Sequence, residues 1–185
     1  MKAQNLTVCV PYKGCNKNCE YCVSRMTGYM HPRPELFKRN LAKVKQVAKA
    51  AQVSSVLLTG KGEPTQNWEM LEHLVNIFSD WPVELQTNGL DLAWMVSEGA
   101  YGEQIGKINA LHKLGLDVVA LSFDRLEQFG EMSELFKVLL QLGFVRRVTL
   151  NITNKIPRHK RDPKKLFTRI MSLAKKAKVQ QLSFR

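Results

Sequence analysis

The sequence is short of the residues that interrupt regular structure. Its 185 residues include 7 Pro and 11 Gly, too few for a collagen-like, low-complexity or disordered chain, and its 44% hydrophobic and 24% charged fractions are those of a folded domain. Long apolar runs are also missing. The longest, such as 116–123, stop far below the roughly 18 residues that a membrane span requires. The N-terminal Met1-Lys2-Ala3-Gln4-Asn5 opens onto a short strand rather than the apolar core of a signal peptide. These absences predict a cytoplasmic protein with no membrane association. Cysteine is sparse, at four, and a chain of this size buries roughly 70% of its unfolded surface without needing disulfides. No linker divides the chain, so one domain over 1–185 is expected.

Acidic residues are missing from one stretch. Residues 1–145 carry 15 Lys and Arg against 15 Asp and Glu, whereas 146–178 carry twelve basic residues and one acid, Asp162. With Arg185 this accounts for the net charge of +12. Such a run is usually a solvated helix face, and the macrodipole explains Lys175, Lys176 and Lys178 at a helix C-terminus. Lys155, Arg158, His159, Lys160 and Arg161 instead fall in a loop.

What is present is a repeated alternation of strand and helix. Strand patterns cover 5–11, 54–58, 83–87, 118–123, 146–151 and 180–184. Between them lie apolar residues at helical spacing: Leu36, Leu41, Val44 and Val47 after Pro34; Leu71, Leu74, Val75 and Phe78; two segments around 92–96 and 105–114; Leu135, Val138, Leu139 and Leu142; and 163–177. Gly115 and Gly143 stand where left-handed helix caps are favoured. Six strands separated by helices predict parallel βαβ units with right-handed crossovers, hence an α/β sheet or barrel. Ending on a strand, two units short of an eight-fold barrel, reads as a truncated core. In such folds the sites lie at the carboxyl ends of the strands.

The first of those loops carries Cys15-x3-Cys19-x2-Cys22, with Cys9 as the remaining cysteine. In a reducing compartment this packing points to metal or cluster binding rather than to disulfides. Two readings stay open on the residues alone. Three thiolates on one loop suit an iron-sulfur cubane whose fourth iron is left free, while a closed zinc site would need Cys9 or His31 as fourth ligand. Cys9 alternates with Val8 and Val10 and is either a barrel-interior thiol or a small core residue, of which core packing is the expected place. His73 and His112 read as surface residues, and Trp68, Trp81 and Trp94 as packing residues.

Cys15-x3-Cys19-x2-Cys22, with Tyr21 before the last cysteine, resembles the signature of the radical S-adenosylmethionine (SAM) superfamily. The likeness continues along the chain. Thr59-Gly60-Lys61-Gly62-Glu63-Pro64 resembles the family's Gly-Gly-Glu-Pro motif with lysine at the first of the adjacent glycines. Thr87-Asn88-Gly89 and Leu121-Ser122-Phe123-Asp124 are similar to family patterns at the ends of strands three and four. The resemblance covers essentially the whole chain and implies a partial (βα)6 TIM-like barrel of parallel strands.

It further implies a 4Fe-4S cluster on Cys15, Cys19 and Cys22, with SAM held by Tyr21, Gly60, Lys61, Gly62, Glu63, Pro64, Asn88, Ser122, Asp124 and Asn151. Glycines 60 and 62 let backbone approach a ligand closely, and Glu63 is suited to the methionine amino group. Asn151 and Thr153 are placed by position only, and Asp124 also reads as a helix cap. The implied reaction is reductive cleavage of SAM to a 5′-deoxyadenosyl radical that abstracts hydrogen from a substrate. Its electron would come from a flavodoxin or ferredoxin type of donor. The basic loop 155–161, at the same barrel mouth, suggests an anionic substrate group or nucleic acid. No catalytic side chain beyond the cofactor set is singled out. The competing function is a basic nucleic-acid-binding domain stabilised by zinc on Cys9, Cys15, Cys19 and Cys22.

Overall fold

A computed structural model describes residues 3–28, 33–97, 102–152 and 162–185. His31, Thr153 and the basic loop 155–161 lie outside the described residues. The chain divides into two compact units, 1–87 with 113–117, and 88–112 with 118–185.

The first unit contains β1 (Asn5–Val10), α1 (Val23–Thr27), α2 (Pro34–Ala50), β2 (Ser55–Gly60), a 3₁₀ turn (Pro64–Asn67), α3 (Trp68–Ile77) and β3 (Val83–Thr87). Its strands pair in parallel with Val8 opposite Leu58, Cys9 opposite Thr59 and Leu58 opposite Leu85. Parallel partners share a face, so Val8, Val10, Val56, Leu58, Val83 and Leu85 form one apolar layer, all buried. Leu71, Leu74, Val75 and Phe78, from α3 and its C-cap, are fully buried as their spacing predicts.

Cys9 departs from its expected place in the core. It is exposed, while Val8 and Val10 on either side are buried. A strand sends alternate side chains to opposite faces, and the face holding Thr7 and Cys9 is the one left accessible.

The second unit contains α4 (Leu90–Ser97), α5 (Glu103–Lys113), β4 (Leu116–Phe123), α6 (Gln128–Glu131), α7 (Ser133–Gln141), β5 (Val145–Leu150), α8 (Pro163–Lys176) and β6 (Gln181–Phe184), with the ends of α5 and β4 shared with the first unit's short segment. Leu121 pairs with Val148, Ser122 with Thr149, and Thr149 with Ser183, again in parallel. Val119, Leu121, Phe123, Val148 and Leu150 are buried, and Phe123, Phe129 and Phe136 pack as an aromatic cluster with Phe123 edge-on to both partners. Gly115 and Gly143 have φ of +112° and +90°, which confirms them as helix terminators.

Six parallel strands thus alternate with helices as the pattern predicts, in the partial (βα)n TIM-like fold that the resemblance implies. No described helix is long and apolar enough to cross a membrane. Three elements fall outside the predicted set: α1, α6 and the 3₁₀ turn. Each has five residues or fewer, too short for helical periodicity to register.

Some side-chain expectations also change. Trp94 is 56% exposed rather than packed, whereas Trp81 packs near Phe78 and beneath the Lys45 ammonium. His112 is half-buried with its ring 4.6 Å from that of Phe144, because it lies on the inner flank of α5. Arg146, first of the basic run, is buried and not part of a solvated face. Its Nε donates to Lys178 O at 3.1 Å and its Nη1 to Phe144 O at 3.2 Å.

Candidate cluster and cofactor site

The loop after β1 carries the three clustered cysteines and runs directly into α1. Cys22 is the N-cap residue of that helix, with its carbonyl accepting from Arg25 N and Met26 N at 3.1 and 3.2 Å. Its own N–H donates to Cys19 O at 3.2 Å. The second and third cysteines are therefore coupled through the backbone.

The loop after β2 lies against this segment. Glu63 N donates to Gly14 O at 2.9 Å. A Cβ on Gly62 would stand 2.4 Å from Gly14 O and 2.7 Å from Tyr12 Cδ2, closer than any side chain tolerates. Gly62 is thus required by close approach of two chain segments. Asn67 Nδ2 adds a bond to Pro11 O at 2.9 Å, tying the 3₁₀ turn to the end of β1. A cavity of about 400 Å³ opens here, lined by Tyr12, Cys15, Asn16, Cys22, Arg25 and Gly62 among others.

Glu63 is buried, and its carboxylate is used within the protein. Oε1 accepts from Thr65 N at 3.2 Å, from Thr65 Oγ1 at 2.8 Å and from Thr87 Oγ1 at 2.6 Å. It caps the 3₁₀ turn, and Pro64 takes the first position of that turn, where its missing N–H costs nothing. Lys61 points elsewhere, donating from Nζ to Thr27 Oγ1 and Gly28 O. Gly60 is close-packed too, since a Cβ there would lie 3.2 Å from Val10 O.

Electrostatics mark the same cluster. The Cys15 thiol is pushed up from its ordinary pKa, first by partial burial and then by the Glu63 carboxylate and the Cys19 and Cys22 thiols, with a backbone hydrogen bond at Lys17 acting in the opposite sense. The Cys15 thiol thus senses the other two cysteines of the loop and the acid beside them.

The remaining predicted residues take these places. Tyr21 is 38% exposed at the edge of the cysteine loop. Within the second unit, Asn88 Oδ1 accepts from Leu90 N at 2.9 Å and so opens α4. Ser122 is half-buried on β4, in register with Thr149, whose hydroxyl lies 2.9 Å from that of Ser183. Asn151 donates from its backbone N and its Nδ2 to Phe123 O, at 2.7 and 3.1 Å. Asp124 is buried but is not a helix cap. The next helix begins at Gln128 with Glu127 before it, and Gln128 Oε1 accepts from Asp124 N and Arg125 N instead.

Thr65, Thr87, Tyr12 and Gly14 were not singled out by sequence reasoning. Thr87 stood inside a recognised motif, but nothing in the motif says which carboxylate its hydroxyl meets.

Among the described residues, no three His, Cys, Asp or Glu side chains converge to hold a single metal ion. Three soft donors on one loop, two of them lining a cavity, fit the cluster.

The Radical SAM superfamily model matches residues 9–179. The chain belongs to that superfamily, a class of enzymes. Among solved structures it is similar to Streptococcus suis SuiB bound to the precursor peptide SuiA, at 15% identity and a TM-score of 0.65, covering 99% of this chain and 39% of that one. It is also similar to SuiB bound to S-adenosylmethionine, at 16% identity and a TM-score of 0.63, with the same coverage. At this identity the likeness is one of fold, and the chain spans about two fifths of SuiB. No curated protein matches it by sequence.

Proposed function

We propose that this chain is the core of a radical SAM enzyme that holds a 4Fe-4S cluster on Cys15, Cys19 and Cys22. It would cleave SAM reductively to a 5′-deoxyadenosyl radical for hydrogen abstraction from a substrate, with the electron supplied by a flavodoxin or ferredoxin type of donor. The observation that carries this reading is the seating of Gly62 and Glu63 against Gly14, which sets the loop after β2 beside the cysteine loop.

The bound cluster and SAM supply the one-electron chemistry; the protein supplies binding, orientation and exclusion of water. In this reading Cys15, Cys19 and Cys22 bind iron as thiolates. The closely packed backbone of Gly60 and Gly62 admits the methionine end of the cofactor, and Glu63 fixes the shape of that loop. Tyr21, Asn88, Ser122, Asp124 and Asn151 are the further candidates for cofactor contacts. The basic loop 155–161 keeps its proposed role toward an anionic substrate group.

Anaerobic reconstitution followed by dithionite reduction and electron paramagnetic resonance, with and without SAM, tests the reading. The expected result is a reduced 4Fe-4S signal that shifts on adding SAM, persists in Cys9→Ser and is lost in Cys19→Ala. A colourless zinc-loaded protein whose metal depends on Cys9 would overturn it in favour of the closed zinc site.

A further inference from the structure

Lys61 stands where the family pattern has glycine, and its side chain has a specific destination. The ammonium donates to Thr27 Oγ1 at 3.1 Å and to Gly28 O at 3.0 Å. Both acceptors sit at the C-terminal end of α1, the helix that begins at Cys22. Thr27 Oγ1 in turn donates to Val23 O at 2.8 Å, so the lysine is linked to the first turn of that helix.

The helix needs such support. It has five residues, its N-cap Cys22 makes no side-chain capping bond, and its first turn holds no acid. A helix this short is unstable alone. A cation at its C-terminus satisfies carbonyl acceptors that have no partner within the helix and complements the macrodipole. Gly62 next door lines the cavity with Cys15 and Cys22, and Lys61 is not among the lining residues. Adjacent residues of one loop thus face two ways, Gly62 toward the candidate cofactor site and Lys61 toward the helix behind it.

We propose that Lys61 is a positioning residue: it clamps the C-terminal end of α1 to the Gly60–Pro64 loop, so that Cys22 and the loop that receives the cofactor's methionine end are held as one body. This rests on the radical SAM reading for the identity of what is positioned. In this role the lysine acts through the backbone between Thr27 and Cys22 rather than by contact with substrate or cofactor.

Two measurements on Lys61→Met and Lys61→Arg test it. In the metal-free chain, hydrogen exchange in a peptide covering residues 23–28 should be about tenfold faster in Lys61→Met, as loss of charge-assisted bonds to a short helix predicts. It should be restored in Lys61→Arg, with the β2 and β3 amides unchanged in both. In the reconstituted chain, Lys61→Met should retain its iron but require about tenfold more SAM to produce the spectroscopic shift, and Lys61→Arg should recover it. Equal exchange in Lys61→Met and the parent would overturn the clamp. Faster exchange with an unchanged SAM midpoint would overturn the positioning role. If the parent takes up a cluster but ignores SAM, or takes up no cluster, the proposed function fails and the positioning role with it, while the exchange data still decide whether the clamp exists.

Discussion

Thr87, the last residue of β3, donates its hydroxyl to Glu63 Oε1 at 2.6 Å. That oxygen also receives both donors of Thr65, so one buried carboxylate joins the end of β3 to the loop after β2. The shape of the candidate cofactor loop is fixed inside the protein, before any ligand arrives. Preorganisation of this kind places the backbone of Gly60 and Gly62 without a cost at the moment of binding.

Replacing Thr87 by Val removes one neutral donor from a charged, buried acceptor. The two bonds from Thr65 remain, so the expected loss is at the low end for such bonds, about 1.5 kcal/mol. It should appear as a lower urea midpoint at unchanged slope. Thr87→Ser keeps the hydroxyl and should recover most of the loss. An unaltered midpoint in Thr87→Val would show that this bond adds nothing to stability.

The glycines of the chain divide into those that are crowded and those that are free. Gly62→Ala places a methyl 2.4 Å from Gly14 O, and relief requires the cysteine loop to move. Overpacking of this kind costs about 1–3 kcal/mol, and iron uptake during reconstitution should fall with it. Gly106 lies inside α5 with nothing within 4 Å of an added Cβ, so Gly106→Ala should stabilise by about 0.5–1 kcal/mol. Denaturant titration of both variants checks the contrast.

Arg146 has its guanidinium pressed down in pKa by burial, and it holds the carbonyls of Lys178 and Phe144. Arg146→Met leaves those acceptors without their donor, with an expected loss of about 1–3 kcal/mol. Lys176→Ala, on the exposed end of α8, should stay within about 0.5 kcal/mol of the parent. Equal effects from the two would mean that the basic run acts only through its net charge.

The Cys15 thiol gives a pH dependence whose sign follows from its raised value. The folded chain favours the protonated thiol more than the unfolded chain does. Its contribution is therefore complete below the unfolded thiol value, about 8.5, and is lost as pH rises from there through the folded value. The melting temperature of the metal-free protein should fall over that range, and Cys15→Ser should fall less. Parallel melting curves for the two would refute the assignment. Iron binding needs the thiolate, so cluster loading should release protons.

Much of this was legible in the order of residues. Leu71, Leu74, Val75 and Phe78 announced a helix because local spacing alone makes an apolar stripe. The cysteine spacing announced the site because one short loop carries all three donors. Cys9 was misjudged for a physical reason: alternation along a strand tells which residues share a face, but not which face is covered. Trp94 and Arg146 failed in the same way, one taken as buried and the other as solvated, since composition does not reveal what another element brings alongside. Asp124 has the residue type of a cap, yet the next helix begins four residues further on, at Gln128, with Glu127 in the cap position.

The sequence by itself determined the alternation of six strands with helices, the turns at Gly115 and Gly143, and the loop that bears Cys15, Cys19 and Cys22, because each depends on neighbours in the chain. Only the tertiary structure decided that Lys61 reaches Thr27, that Thr87 reaches Glu63 and that Arg146 reaches Lys178, pairs separated by 34, 24 and 32 residues. Such contacts depend on how strands pair in register and helices close over them, and no local pattern encodes where a side chain two elements away will come to rest.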